Sequence, residues 1–165
     1  MIIKGLIDED FVNYKKPAMV IECPHCTFKC DKECGQPICQ NSALVNEPDI
    51  EISYDDLILR YLNNPITEAI VFQGLEPFDS IPDVINLILW LRIKYNCEDD
   101  IVIYTGYKEE EIDIEYFIKL LLEYDKINKN IIIKFGRYIP NQKPHFDEVL
   151  GVKLSSDNQY AKKIC

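Results

Sequence analysis

Five of the seven cysteines in this sequence fall within residues 23 to 39. Their spacing is Cys23-x2-Cys26-x3-Cys30-x3-Cys34-x4-Cys39. The residues between them are mostly polar, as in CTFKCDKEC, so the cysteines are not simply small buried side chains of a core. Thiolates brought this close along a chain are typical ligands of metal ions and of iron–sulfur clusters. The segment therefore predicts a metal or cluster site.

A disulfide framework is the first alternative for these cysteines. Their total number is odd, which leaves one thiol without a partner. The first residues, MIIKGLIDEDF, contain three acids and no apolar stretch typical of a secretory signal. We therefore expect a cytoplasmic protein whose thiols stay reduced.

A zinc site is the second alternative, since Cys23-x2-Cys26 is a zinc-type pair. No second pair of this spacing follows, and the two histidines, His25 and His145, fit only an irregular site. The spacing Cys26-x3-Cys30 with a later Cys39 instead favours three thiolates around one [4Fe–4S] cluster, whose fourth iron stays open to a ligand. Either of the two remaining cysteines in the segment could replace one of these three.

Composition and charge limit the possible partners. The chain has 165 residues, enough for one domain spanning residues 1–165. Its net charge is −10, with 28 acids against 18 basic residues, which argues against binding to nucleic acid. The longest apolar run, residues 84–91, is too short to span a bilayer, so we expect no membrane partner.

Strands and helices alternate along the sequence. Apolar runs predict strands at residues 2–7, 18–22, 68–73, 101–104 and 131–135. Helical patterns follow Ser53, a predicted N-cap, and Ser80, a second predicted cap, and cover about Glu109 to Tyr124 with Phe117, Leu121 and Tyr124 on one stripe. The tail predicts a strand near Val149 to Leu154 and a short terminal helix. This order indicates an α/β fold with a mainly parallel sheet, and the chain is too short for a full eight-unit barrel, so we expect a partial barrel or an open sheet.

Four unusual loops follow four of the predicted strands. They are the cysteine loop, GLEPF at residues 74–78, Thr105-Gly106 and Gly136-Arg137. The carboxyl ends of parallel strands meet at one edge of a sheet, so these loops should share one rim. Lys134 and Arg137, near the last of these ends, could neutralise a carboxylate there, or either could equally be a solvated surface charge.

Four short motifs, in order, carry a resemblance to a known family. They are Cys39-Gln40-Asn41, Gly74-Leu75-Glu76-Pro77-Phe78, Tyr104-Thr105-Gly106-Tyr107 and Ser155-Ser156-Asp157-Asn158-Gln159. Together with the cysteine spacing, the sequence resembles the activating proteins of the anaerobic ribonucleoside-triphosphate reductase, which are small radical SAM enzymes. It departs from their pattern in having a leucine in the GLEP motif and eight residues, rather than two, between Cys30 and Cys39.

The resemblance implies a fold, cofactors and roles for individual residues. The fold would be a partial (β/α) barrel of the radical SAM type, with the cluster loop at the C-terminal rim of the strands. Cys26, Cys30 and Cys39 would hold a [4Fe–4S] cluster whose open iron binds S-adenosylmethionine. Glu76 would accept the amino group of S-adenosylmethionine, Gly74 would let the backbone approach that ligand, Thr105 would lie beside its methionine or ribose end, and Asn41 would close the cluster loop at the cofactor.

The resemblance also implies an activity and partners. The protein would generate a glycyl radical on the large subunit of an anaerobic ribonucleotide reductase, with a flavodoxin-type protein as reductant. A radical SAM enzyme acting on a small molecule or peptide is a second hypothesis. A non-catalytic zinc-binding interaction module is a third.

Overall fold

The structure, a computed structural model, describes residues 1–113, 115–117, 119 and 129–164. Its strands are β1 Ile2–Ile3, β2 Gly5–Asp10, β3 Ala18–Cys23, β4 Ile50–Glu51, β5 Ala69–Gly74, β6 Asp100–Tyr104, β7 Ile131–Phe135, β8 His145–Asp147, β9 Val152–Leu154 and β10 Tyr160–Lys163. The α-helices whose bounds fall within these residues are α1 Lys29–Cys34, α2 Tyr54–Leu62 and α3 Ile81–Leu89. Within these ranges, no helix is long and apolar enough to cross a bilayer.

A six-stranded sheet forms the centre of the molecule, in the order β10-β7-β6-β5-β3-β2. The four middle strands run parallel, while β2 and β10 each pair antiparallel with their only neighbour. The prediction of an α/β fold with a mainly parallel sheet is therefore confirmed. The outer strands β2 and β10 do not pair with each other, so the described residues form no closed barrel.

Apolar residues cover both faces of this sheet, because alternate strand residues point to opposite sides. On one face, side chains such as Phe72 and Ile103 pack with α2 and α3. On the other face, Val71 and Val102 pack with Tyr14 and with Leu150, which lies in the turn between β8 and β9. Burial on both sides explains the continuous apolar runs of the parallel strands.

One of the two predicted helix caps is confirmed and the other is wrong. The Ser53 hydroxyl accepts the backbone N–H of Asp56 at 3.0 Å at the start of α2. Ser80 makes no such bond at α3, because a 3₁₀ turn over Pro77–Ser80 runs directly into that helix. The cap of the combined segment is the Glu76 carboxylate, which accepts the N–H of Phe78 at 3.1 Å. Beyond Leu89 the helix continues as a π-helical turn, Trp90–Lys94.

The tail differs from its prediction. The expected terminal helix is wrong, because residues 160–163 form β10, which pairs antiparallel with β7. Without this pairing, β7 would be an open edge of the sheet. The strand expected near residues 149–154 is half of a hairpin, β8 with β9, whose turn contains Gly151. The first predicted strand is split at Lys4 into β1 and β2.

The helix predicted from Glu109 is described only in part. Residues Glu109–Glu111 form a separate 3₁₀ turn that ends at Ile112, whose backbone is extended. Residues 115–117 and 119 are helical, and Phe117 is buried against the core as expected. Leu121 and Tyr124 lie outside the described residues.

Candidate metal centre

A cleft of about 340 Å³ opens at the carboxyl edge of the parallel strands. All four loops singled out in the sequence contribute to it, so the predicted convergence on one rim is confirmed. Its lining includes Cys26, Cys30, Cys39, Asn41, Gly74, Glu76, Thr105, Lys134 and Arg137. Every residue predicted to bind the cluster or its ligand thus lines one cleft.

The five clustered cysteines differ in where they lie. Cys26, Cys30 and Cys39 are half-buried and line the cleft. Cys23 is completely buried at the end of β3, and burial raises the pKa of its thiol well above the usual range. Cys34 is exposed at the end of α1 and does not line the cleft. The structure therefore brings together the three cysteines predicted as ligands and separates the other two from them.

Burial opposes ionisation of two of the three cleft cysteines, although a backbone donor faces one of their sulfur atoms. The backbone N–H of Phe28 donates to the Cys26 sulfur at 3.2 Å, aided by the left-handed conformation of Phe28. Burial raises the pKa of Cys26 to about 11 and that of Cys30, beside the Cys39 thiol, to about 12. These thiols are protonated near neutral pH without a metal, so metal binding there releases protons.

A carboxylate closes the long segment between the second and third of these cysteines. Asp31 Oδ1 accepts the backbone N–H groups of Ile38 and Cys39, each at 2.8 Å. The chain turns back after α1 at Gly35, whose φ of +71° lies in the left-handed region. The hydrogen bonds from Ile38 and Cys39 hold the pKa of Asp31 below its ordinary value.

The cysteine loop is joined to the GLEPF loop by backbone hydrogen bonds. The N–H of Leu75 donates to the carbonyl of Cys23 at 3.3 Å, and the N–H of Glu76 donates to that of His25 at 2.7 Å. These bonds continue the parallel pairing of β3 with β5 beyond the ends of the strands.

A second link runs through Asp79. Its carboxylate accepts the backbone N–H of Thr27 at 2.8 Å and the hydroxyl of Tyr107 at 2.7 Å. Lys29 lies over the Tyr107 ring, 4.7 Å from its centroid. Residue 27 lies between two candidate ligands, so this contact fixes the position of the cluster loop against two strand ends.

Asn41 and Gly74 meet at the edge of the cleft. The Asn41 side-chain amide donates to the Gly74 carbonyl at 2.7 Å. Gly74 has φ +92°, and a Cβ there would lie 2.8 Å from the Cα of Glu22. Glycine is therefore required by the contact with the neighbouring strand, whereas the resemblance implied an approach of the ligand.

Glu76 is buried and accepts hydrogen bonds from the loop after β6 and from its own GLEPF loop. The Thr105 hydroxyl donates to its Oε1 at 2.7 Å, and the Gly106 N–H donates to its Oε2 at 2.8 Å. Burial raises the pKa of this carboxyl, and the hydrogen bond from Thr105 opposes that shift. A carboxylate can accept about four hydrogen bonds, and with the Phe78 N–H Glu76 accepts three from the described residues.

Lys134 is a buried cation near Glu76. Its ammonium donates to the Gly136 carbonyl at 2.7 Å and lies over the Tyr104 ring. Burial lowers the pKa of Lys134 to about 8, and the charge of Glu76 acts in the opposite direction. Together with Arg137, which is also buried, the described lining of the cleft contains one buried acid and two buried bases.

Arg137 already has acidic partners. Its Nη2 lies 2.7 Å from Glu111 Oε2 and 3.4 Å from Glu33 Oε1. Of the two basic residues predicted near this rim, Lys134 is therefore the one without a carboxylate in direct contact among the described residues.

The SSDNQ segment, residues 155–159, is hydrogen-bonded to the loop after β7. Gln159 accepts the N–H of Ser156 at 3.1 Å and donates to the Gly136 carbonyl at 3.3 Å. Asn158 donates to the Arg137 carbonyl at 2.9 Å. This motif therefore positions the loop after β7.

Within the described ranges, no three histidine, cysteine, aspartate or glutamate side chains converge as around one metal ion. The cysteines of a four-iron cluster bind different irons, so they need not converge on one point.

The model of the 4Fe-4S single cluster domain, found in radical SAM proteins, matches residues 19–159. The chain belongs to this family. No curated protein and no solved structure matches it. Membership in the 4Fe-4S single cluster domain family indicates an iron–sulfur cluster and redox chemistry, and the three cleft cysteines have the donor chemistry that such a cluster requires.

Three residues whose hydrogen bonds hold the loops around the cleft were not predicted from the sequence. Asp31 bonds within the cysteine loop, and Asp79 and Tyr107 bond between loops. Hydrogen bonds of this kind leave no periodic pattern in a sequence. Tyr107 belongs to the motif Tyr104-Thr105-Gly106-Tyr107, but the sequence does not show that its hydroxyl bonds to Asp79.

Proposed function

We propose that this protein is a radical SAM activase that binds a [4Fe–4S] cluster through Cys26, Cys30 and Cys39. The observation that carries the proposal is that these three cysteines open onto a cleft that also contains Glu76 and Lys134. A site with three thiolates leaves one iron free, and a bound cluster of this kind supplies the electron for cleaving S-adenosylmethionine into methionine and a 5′-deoxyadenosyl radical.

The buried charges of the cleft support an amino-acid ligand. The methionine part of S-adenosylmethionine has an ammonium and a carboxylate. Glu76 has room for one more hydrogen bond and can accept one from the ammonium, while Lys134 keeps donors beyond its bond to Gly136 for the carboxylate. The Thr105 hydroxyl donates a hydrogen bond to the Glu76 carboxylate, so the role of Thr105 in this proposal is to orient Glu76.

Asn41 has a similar role in the proposal. Its bond to the Gly74 carbonyl connects the end of the cluster loop with the loop that contains Glu76. The three thiolates and the acceptor of the ammonium thereby belong to one hydrogen-bonded unit. A partial barrel of the radical SAM type agrees with this arrangement, in which every site residue comes from the carboxyl edge of the sheet.

We further propose that the radical acceptor is a glycine on the large subunit of an anaerobic ribonucleotide reductase and that the electron donor is a flavodoxin-type protein. The four motifs support this, since they follow the order seen in the activating proteins that the sequence resembles. The cleft is open to solvent at the rim, which suits a substrate presented by another protein.

The experiment is anaerobic reconstitution with iron and sulfide, followed by incubation with S-adenosylmethionine, reduced flavodoxin and the reductase large subunit. We expect a brown protein and a glycyl radical signal in electron paramagnetic resonance, which is absent when Cys30→Ser replaces the wild type. S-adenosylmethionine cleavage without a radical on an authentic reductase would favour a small-molecule or peptide substrate. A colourless protein with one zinc per chain would contradict the proposal and favour the interaction module.

A further inference from the structure

The eight residues between Cys30 and Cys39 form a closed loop in the structure. Helix α1 covers the first part, from Lys29 to Cys34, and the chain reverses at Gly35. The backbone N–H of Cys39 then lies within reach of Asp31, the residue that follows Cys30 in the sequence. A flexible segment between two ligands must be ordered before both can bind one cluster. The loop therefore needs an internal contact that holds the chain after Gly35 close to Cys30.

The side chain of Asp31 supplies that contact. A single oxygen, Oδ1, accepts the N–H of Ile38 and the N–H of Cys39 at 2.8 Å each. Two successive backbone N–H groups form a concave site that favours an anionic oxygen. The same oxygen lies 3.7 Å from the sulfur of Cys30. One atom therefore touches the second cysteine and the backbone of the third.

We propose that Asp31 is a positioning residue that holds Cys39 beside Cys30 and so replaces the short spacing of the related cluster loops. The inference rests on the proposed ligand set. It concerns the chain itself, because both hydrogen bonds join Asp31 to backbone N–H groups of the same loop.

The structure also says which substitution should be tolerated. Both backbone donors bind Oδ1, and Oδ2 accepts no hydrogen bond from the described residues. An asparagine retains Oδ1 and can keep both bonds, whereas an alanine loses both. Ile38→Pro removes one donor and leaves the carboxylate in place. Lys32, exposed in the same helix, offers a matched control as Lys32→Ala.

The experiment has one measurement with metal and one without. Wild type, Asp31→Ala, Asp31→Asn, Ile38→Pro and Lys32→Ala are reconstituted anaerobically and challenged with an iron chelator, and bound iron per chain is measured. In parallel, the metal-free proteins are treated with a mild oxidant, and the rate of the Cys30–Cys39 disulfide is followed by peptide mass spectrometry. Circular dichroism checks that each variant is folded.

We expect Asp31→Ala to lose iron at a chelator concentration roughly tenfold lower than the wild type requires, as for other residues that support metal ligands. We expect it also to form the disulfide more slowly, with Ile38→Pro between it and the wild type. Asp31→Asn and Lys32→Ala should resemble the wild type in both measurements.

Equal iron retention and equal disulfide rates in Asp31→Ala and the wild type would overturn the inference. If Asp31→Ala fails to fold, the same comparison with Ile38→Pro decides. A wild type that binds no iron but forms the disulfide faster than both variants would contradict the proposed function and leave the positioning role of Asp31 supported.

Discussion

Exposure separates the five cysteines of residues 23 to 39 into three kinds. Cys23 is buried in the core, Cys34 is in solvent, and Cys26 and its two cleft partners lie between these extremes. The spacing alone left Cys23 and Cys34 as possible ligands, because a sequence does not show which way a thiol points. The end of β3 buries the first, and the exposed end of α1 carries the second away from the cleft.

Serine substitutions of the cysteines test this division. Cys26→Ser, Cys30→Ser and Cys39→Ser should each lose most of the iron bound after anaerobic reconstitution, because a serine hydroxyl does not replace a thiolate ligand. Cys34→Ser is the matched control within the same loop and should bind as much iron as the wild type. Iron loss in Cys34→Ser together with full binding in Cys39→Ser would show that the ligand set is wrong.

The buried ammonium of Lys134 predicts a pH dependence of stability. Its pKa is about 8 in the folded protein and 10.5 in the unfolded chain. Between these values the unfolded chain binds more protons, so the contribution of Lys134 to the free energy of unfolding rises with pH. The rise from below pH 8 to above pH 10.5 amounts to at most roughly 3 kcal/mol.

Urea unfolding of the metal-free protein at several pH values between 7 and 10 can measure this rise. The wild type should gain stability relative to Lys134→Met over this range, and the difference should be flat below about pH 7. Lys143→Met, at an exposed position, is the control and should show no such trend. A constant difference between the wild type and Lys134→Met would contradict the burial of a charged ammonium.

At the scale of elements, the strand ends are joined to each other by hydrogen bonds within the chain. The cysteine loop is bonded to the GLEPF loop through His25 and to Asp79, in the turn that follows, through Thr27. Glu76 is bonded to the loop after β6. Strand order brings these loops to one edge, and the hydrogen bonds then fix their relative positions. The convergence could be predicted from the sequence because it follows from parallel topology alone.

Because β5 lies close to β3 at Gly74, we expect a side chain at this position to destabilise the fold. Gly74→Ala combines a left-handed backbone conformation with a contact of 2.8 Å to the Cα of Glu22, and should lower the free energy of unfolding by roughly 4 kcal/mol. Gly35→Ala is a matched control, since its φ is also positive but no atom lies within 4 Å of the added Cβ. It should cost about 1 kcal/mol. Equal losses in urea unfolding would show that the strand contact is not what requires glycine at position 74.

At the scale of the whole molecule, one edge of an open sheet carries the entire candidate site. The mainly parallel sheet and the shared rim were predictable, since apolar runs and helical periods indicate βαβ units. The antiparallel strand at residues 160–163 was not, because pairing with the free edge of β7 decides its conformation and a four-residue segment has little preference of its own. The start of α3 at Ile81 agrees with the sequence, whereas the capping bond expected from Ser80 is absent and Glu76 caps the preceding 3₁₀ turn.

Cleavage of S-adenosylmethionine is the most direct test of the central claim. The anaerobically reconstituted protein is incubated with dithionite and S-adenosylmethionine, and 5′-deoxyadenosine and methionine are measured by liquid chromatography. The account predicts that the wild type forms both products and that Cys30→Ser forms neither. A wild type that carries a [4Fe–4S] cluster and leaves S-adenosylmethionine intact under these conditions would contradict it.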